Sequence, residues 1–521
     1  MSGGLRLVAV SDIQGNWDAL DLIAGQHKAG AIIHTGNFGF WNSGTVGRAS
    51  DVGYLKQIVA FSDVLPQKTV LALNNLSTIN GSAAHKSGDK PVESPDFKDE
   101  LAKVESLSHM DKYISGEKTL PCPVYTIVGP LDDPVIVEEV MCGAVDIPNL
   151  HIVSHDQAYT LKVSENGPDV QLYGLGGNLK VHSLFDNGSV DGRLCGKVGD
   201  LWITLAQVAH LFLNHQSLQE NGPSIKIFMS HSPVIKTPLL EHLAIITGAD
   251  FTISQGLHFK YPVSGNGMSF VDSMGGSAGY IENYRSKFSR LRMILGELWL
   301  VIKDDVNRIL AADTEMRNLI ELGLSLFDKI PVTIGDSTES IVKLTLGTAE
   351  EENADDMEVS KLSLKKINDM YFSAYYNLWH FNLCDHMINT GMPDRQDMDI
   401  EEMSDEREEE PTEFNVMVFS LSPKGNFRLV HCNSQGFNFQ VPKATPGTET
   451  ETSGNSSDEG TVRAQEYSPE YDGEAKTDRS DDIRRTKELL NSTYKDYRAR
   501  GRGRGRGARG ARGGKRGRPA R

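Results

Sequence analysis

Cysteine is scarce and scattered. The chain has five in 521 residues, Cys122, Cys142, Cys195, Cys384 and Cys432, and no two stand as Cys-x-x-Cys. This argues against a zinc-thiolate site and a disulfide framework, and fits reduced thiols in the cytoplasm or nucleus. No apolar run reaches the roughly eighteen residues of a membrane-spanning helix, so no membrane association is expected. The opening MSGGLRLVAVSD has no charged segment followed by a long apolar stretch, and no secretory leader is expected from it. Apolar residues make up only 39% of the chain. That is low for one globule, and polar segments diluting an ordinary core would account for it. Acidic residues are also missing from the basic C-terminal stretch. Residues 498–521 hold ten Arg, one Lys and no acid, so the net charge of −17 divides into −28 in the first 497 residues and +11 in the last 24.

What is present begins at residues 5–37. An apolar run, 5–10, reads as a buried strand and stops at Ser11-Asp12-Ile13-Gln14-Gly15-Asn16. Trp17, Leu20 and Ala24 then recur at helical spacing, and 31–35 forms a second strand ending at Gly36-Asn37. Strand, polar loop, helix, strand is a βαβ unit. Ligands of such sheets bind outside the carboxyl ends of the strands, which is where Asp12, Gln14 and Asn37 would sit. Further strands are expected at 69–73, 124–128, 150–153, 158–163, 170–175, 225–229 and 251–253. Helices are expected at 52–61, 97–114, 135–140, 201–215 and 239–247. The alternation predicts an α/β sandwich over residues 1–275.

Residues 280–442 read as an extension. A helical hairpin is expected over 284–310 and 315–327, with an apolar stripe of Leu291, Ile294, Leu295, Leu298 and Ile302. Residues 362–381 continue a buried pattern. Strands are expected at 414–420 and 427–432 around a Pro423-Lys424-Gly425-Asn426 turn, and 437–441 reads as a third. Between them, 394–413 carries eleven acids and two Arg, which suits a solvated linker or a docking site for a basic protein partner. From 443 onward the composition predicts disorder.

Taken in order, the strand-end loops resemble those of the calcineurin-like metallophosphoesterases. That family has Asp-x-His-Gly, Gly-Asp, Gly-Asn-His-Asp, a later His and a final Gly-His-x-His. Here Asp12 matches the first Asp, Gln14 stands at the His, Asn37 at the metal-bridging Asp, and Gly129-Pro130-Leu131-Asp132 at the third motif. His231, after the 225–229 strand, matches the fourth; Gly256-Leu257-His258-Phe259 stands at the last, with Leu257 and Phe259 at the His positions. Phrases such as HTGNFGFW and SQGLHFKYP also resemble a fungal branch of that superfamily, which carries an extension after the phosphoesterase-like domain. The resemblance implies a four-layer α/β/β/α sandwich with a helical and β extension.

It also implies that Asp12, Asn37, His231 and His258 stand at metal-ligand positions, and that His231 and Asp132 are the catalytic candidates. Gln14, Pro130, Leu131 and Leu257 mark positions where the family ligand or substrate contact has been replaced. An Asn at the bridging position leaves two dications without compensation for their repulsion. The expectation is therefore a catalytically degenerate scaffold without a bound cofactor. The alternative is a phosphoesterase with one divalent metal (Mn, Fe or Zn) on Asp12, His231 and His258. Asp12, Asp132, Asp133 and His231 also suit purely structural work as turn, cap and core residues.

The tail points elsewhere. Arg498, Arg500, Arg502, Arg504, Arg506, Arg509, Arg512, Arg516, Arg518 and Arg521 alternate largely with Gly. Guanidinium groups on a flexible strand pair with phosphates and stack on bases, so RNA or a ribonucleoprotein is the expected partner. The third expectation is a protein-interaction module acting through 394–413.

Overall fold

The computed structural model describes residues 4–82, 97–104, 106–163, 167–190, 193–218, 224–256, 263–270, 277–331, 354–384 and 414–432. Residues 1–442 make one compact unit, and all described residues belong to it. The expected third strand at 437–441, the acidic run 394–413 and the tail lie outside the described residues, as do Leu257 and His258.

Fourteen strands are described: β1 (Leu5–Val10), β2 (Ala31–His34), β3 (Val124–Ile127), β4 (Leu150–Val153), β5 (Tyr159–Leu161), β6 (Asp169–Leu175), β7 (Gly196–Lys197), β8 (Asp200–Leu201), β9 (Ser224–Ser230), β10 (Phe251–Gln255), β11 (Val263–Asn266), β12 (Trp379–Leu383), β13 (Met417–Leu421) and β14 (Phe427–Cys432). The helices are α1 (Ala19–His27), α2 (Ser43–Arg48), α3 (Val52–Ala60), α4 (Gln67–Ser82), α5 (Phe97–Leu101), α6 (Met110–Ile114), α7 (Pro134–Met141), α8 (Leu205–Leu218), α9 (Pro238–Ile246), α10 (Ser277–Ile309), α11 (Thr314–Ser325) and α12 (Ala354–Asn377).

The strands form two six-stranded mixed sheets, ordered β14-β13-β1-β2-β3-β4 and β11-β12-β10-β9-β6-β5, and a small β7-β8 hairpin. In the first sheet β1 to β4 run parallel, and β13 joins β1 antiparallel with Leu5 opposite Leu421. In the second, β6, β9, β10 and β12 are parallel. Strand β1 explains why its run is apolar throughout. Leu7 and Ala9 enter a cluster shared by both sheets, with Ile227, Met229, Ile253, Phe381 and Phe419. Val8 and Val10, on the other face, pack with Leu20 and Ile23 of α1 and Val137 of α7. Both faces of a parallel strand are covered, so no polar alternation appears. The outer face of the second sheet is covered by α8 to α12 through Phe212, Leu243, Phe288, Leu324 and Tyr371.

Several sequence expectations need correction. Residues 69–73 form no strand; they lie in α4, where Val70 and Leu73 pack with Ile58 of α3 and Phe97 of α5. The expected helix 97–114 is two short ones, α5 and α6. Residues 201–215 begin with a strand residue of β8 before α8, and 362–381 divides into the end of α12 and β12. On α10 the buried stripe runs through Leu291, Leu295 and Trp299, while Ile294 is exposed. Among the described residues no helix is long and apolar enough to cross a membrane.

Candidate functional site

The loops after β1, β2, β3, β9 and β10 meet at the carboxyl ends of their strands. Backbone bonds fasten the first two together: Gln14 N–H donates to Asn37 O at 3.0 Å and Gly15 N–H to Phe38 O at 3.1 Å. The fit is close. A Cβ on Gly129 would stand 2.0 Å from Asn37 N, and one on Gly36 2.8 Å from His231 Nδ1. Among the described residues, five non-glycine residues take a positive φ: Asp12 (54°), Gln14 (43°), Lys28, Asn37 (57°) and Asn149. Three of them, Asp12, Gln14 and Asn37, line one cleft. Residues in this region cost on the order of 1 kcal/mol or more each, and such strain gathers at functional sites.

The cleft has a volume of about 520 Å³. Asp12, Gln14, Asn37, His231 and Gln255 lie at its buried end; Pro130, Leu131, Tyr54, Phe61 and Val198 also line it, with Asp51, Lys197 and Asp200 among its charged lining residues. Tyr54 is held by its hydroxyl, which donates to Leu131 O at 2.8 Å.

Asp12 is the centre of a hydrogen-bond network. Its Oδ1 accepts from Asn37 Nδ2 at 2.7 Å, and its Oδ2 accepts from Ser11 Oγ at 2.8 Å and from Gln255 Nε2. Asn37 is fixed at its other end too, because its Oδ1 accepts from Leu131 N–H at 3.0 Å. The buried His231 ring donates from Nδ1 to Thr35 O at 2.8 Å, which leaves the lone pair on Nε2. Burial lowers its pKa to about 4, so the ring is neutral at pH 7.

Asp132 stands behind the wall of the cleft rather than in its lining. Fully buried, it accepts from the backbone N–H groups of Gly129 (2.8 Å), Gly39 (2.8 Å), Phe40 (3.3 Å) and Phe38 (3.4 Å). Burial raises its pKa to about 6 against the opposing pull of those donors. Its geometry is that of a pin joining the loops after β2 and β3. The next residue, Asp133, caps α7 ahead of Pro134 and pairs with Arg48.

The donor set can be tested against a divalent ion. Among the described residues Asp12 is the one acid at the buried end, and donor hydrogens already meet both its oxygens. Asn37 aims its NH2 group at Asp12 and commits its carbonyl to Leu131. Among the described residues no three His, Cys, Asp or Glu side chains are grouped to hold a metal. The described residues therefore do not fit a divalent ion; His258 lies outside them. Gln255 is the member that sequence reasoning missed. It ends β10 one residue before the Gly256-Leu257-His258 motif, and only the fold shows that it reaches Asp12.

A family described as a protein of unknown function (DUF2433) matches residues 261–410. No curated protein matches the chain. The matched stretch holds β11, α10 to α12 and β12, and is thus similar to that family in the part that builds one edge and the outer cover of the second sheet.

Proposed function

We propose that the chain is a binding protein and not a hydrolase: a metallophosphoesterase-like scaffold whose strand-end cleft holds a ligand, with an Arg-Gly tail that contacts RNA or ribonucleoprotein. The observation that carries this reading is the Asp12 network. Where metallophosphoesterase chemistry needs cations, this carboxylate meets the amide hydrogens of Asn37 and Gln255. Activation of water at neutral pH then lacks its usual source, a metal that lowers the pKa of the bound water. The test is metal analysis and hydrolysis by the full chain after incubation with Mn²⁺, Fe²⁺ or Zn²⁺, using a phosphomonoester and a phosphodiester. The expected result is no stoichiometric metal and no turnover above that of Asp12→Ala. Turnover abolished by Asp12→Ala would overturn the reading in favour of a single-metal enzyme.

The tail reading rests on composition. If all eleven cations of residues 498–521 contact phosphates, the log–log salt dependence of single-stranded RNA binding approaches a slope of about −8. Filter binding across a salt series measures it. A slope that is unchanged when the ten tail arginines become glutamine would remove the tail from the function.

A further inference from the structure

Once its internal hydrogen bonds are formed, the buried end of the cleft presents acceptors. Gln255 must turn its amide nitrogen to Asp12, because only that end can donate to a carboxylate, so Oε1 is left over; it is buried and unpartnered. Gln14 Oε1 is likewise buried without a partner. The two side chains belong to residues only 4% and 8% exposed, and both line the cleft. The lone pair on His231 Nε2 is a third acceptor. Unpartnered buried acceptors are costly, and a ligand that donates to them recovers that cost. The charge of the lining has the same sense. Asp12, Asp51 and Asp200 are acids, of which Asp200 is paired with Lys180 outside the lining, and Lys197 is the only cation among the described lining residues.

A phosphate group, which brings mostly acceptors and negative charge, is mismatched to this surface. We infer that the cleft receives a guanidinium head on an aliphatic stem, as in the arginine side chain of a peptide. Guanidinium offers five donors and is more weakly hydrated than an ammonium group, so it enters a buried acceptor site at lower cost. Pro130, Leu131 and Phe61 supply apolar wall for the methylene stem. A cleft of about 520 Å³ is roomy enough for such a side chain with its adjoining backbone. This inference rests on the proposal that the cleft binds rather than hydrolyses, and it names the ligand chemistry.

The test is calorimetric titration of the full chain with agmatine and with a Gly-Arg-Gly peptide. The ten tail arginines are replaced by glutamine so that the probe meets no competitor of its own kind. One saturable site is expected, at least tenfold tighter for Gly-Arg-Gly than for Gly-Lys-Gly. Gln14→Met removes an acceptor without removing a bond that holds the fold, and should weaken binding tenfold or more. Lys197→Ala, at an exposed position, should tighten a cation and weaken an anion. Absence of binding by every guanidinium probe overturns the inference. So does weaker binding in Lys197→Ala, unchanged binding in a folded Gln14→Met, or saturable binding of inorganic phosphate in place of the peptide. Metal-dependent turnover would instead overturn the binding-protein reading itself, so the two failures are distinguishable.

Discussion

Asn37 shows how one atom changes the character of the site. Its NH2 group stands 2.7 Å from Asp12 Oδ1. Asn37→Asp would place two buried carboxylates in contact while keeping a residue type that tolerates the left-handed backbone. In EDTA this variant should lose on the order of 2–3 kcal/mol of stability, the cost of a lost charged hydrogen bond plus like-charge repulsion. Mn²⁺ should recover part of that loss, because a cation replaces the missing amide hydrogens. Thermal unfolding with and without Mn²⁺ measures both effects. A variant that melts in EDTA with the unaltered chain would remove Asn37 from the network. Two glycines give a contrasting pair. At Gly39, with φ of +83°, a Cβ would stand 2.0 Å from Gly15 N, whereas at Gly25 in α1 it would meet nothing within 4 Å. Gly39→Ala should cost several kcal/mol, about 3 or more, through clash and backbone strain. Gly25→Ala should raise stability by about 0.5–1 kcal/mol. Melting temperatures in opposite directions would check the geometry of the first two loops.

At the scale of elements, the late strands hold the early ones. β12 lies between β10 and β11, and β13 lies between β1 and β14. Phe381 and Phe419 pack edge-to-face at 4.8 Å inside the shared cluster, and Phe419 stacks on Phe427 at 4.9 Å. A chain ending at residue 275 would expose the hydrogen-bonding edges of β1 and β10 and much of that cluster, which is a template for aggregation. It should be insoluble or protease-sensitive where the full chain resists, and limited proteolysis with circular dichroism is the check. A folded, monomeric 1–275 chain would contradict this. The early strands show where the sequence was legible. β1, β2, β9 and β10 stand out because each is a short apolar run closed by turn residues, and Asp12, Asn37 and His231 follow from those endings. The pairing of β12 with β10 leaves no local signal, since Phe251 and its partner Trp379 are more than a hundred residues apart. Residues 69–73, Thr-Val-Leu-Ala-Leu, are a short apolar run that fits strand and helix alike, and only packing against α3 and α5 decides. Gln255 was hidden because the motif beside it drew the resemblance. Asp132, a catalytic candidate only by the resemblance, has its carboxylate given over to four backbone donors.

For the molecule as a whole, the buried histidines set the response to acid. Burial lowers His155, His215, His242 and His380 to about 4 and His34 to about 3, from an ordinary value near 6.5. His242 is the clearest case. It is 2% exposed, its Nε2 donates to Leu326 O at 2.8 Å, and its Nδ1 bonds the Tyr371 hydroxyl, joining α9 to the helical cover. The sign follows from proton counting. Between pH 6.5 and pH 4 the unfolded chain binds a proton at this ring and the folded chain does not, so stability rises with pH through that window. The stabilising contribution is complete above about 6.5 and is lost as pH falls toward 4, on the order of 2 kcal/mol for one such ring by pH 5. Buried Asp132, whose carboxyl is raised to about 6, acts in the opposite direction within the window, but it is one group against several such rings. Denaturant unfolding at pH 7.5 and pH 5.0 should therefore show a large loss at the lower pH. In His242→Gln, whose amide keeps a donor for Leu326 without a titrating ring, stability at pH 7.5 falls but the difference between the two pH values shrinks. An undiminished difference in that variant would assign the acid response to the other rings and remove His242 from it.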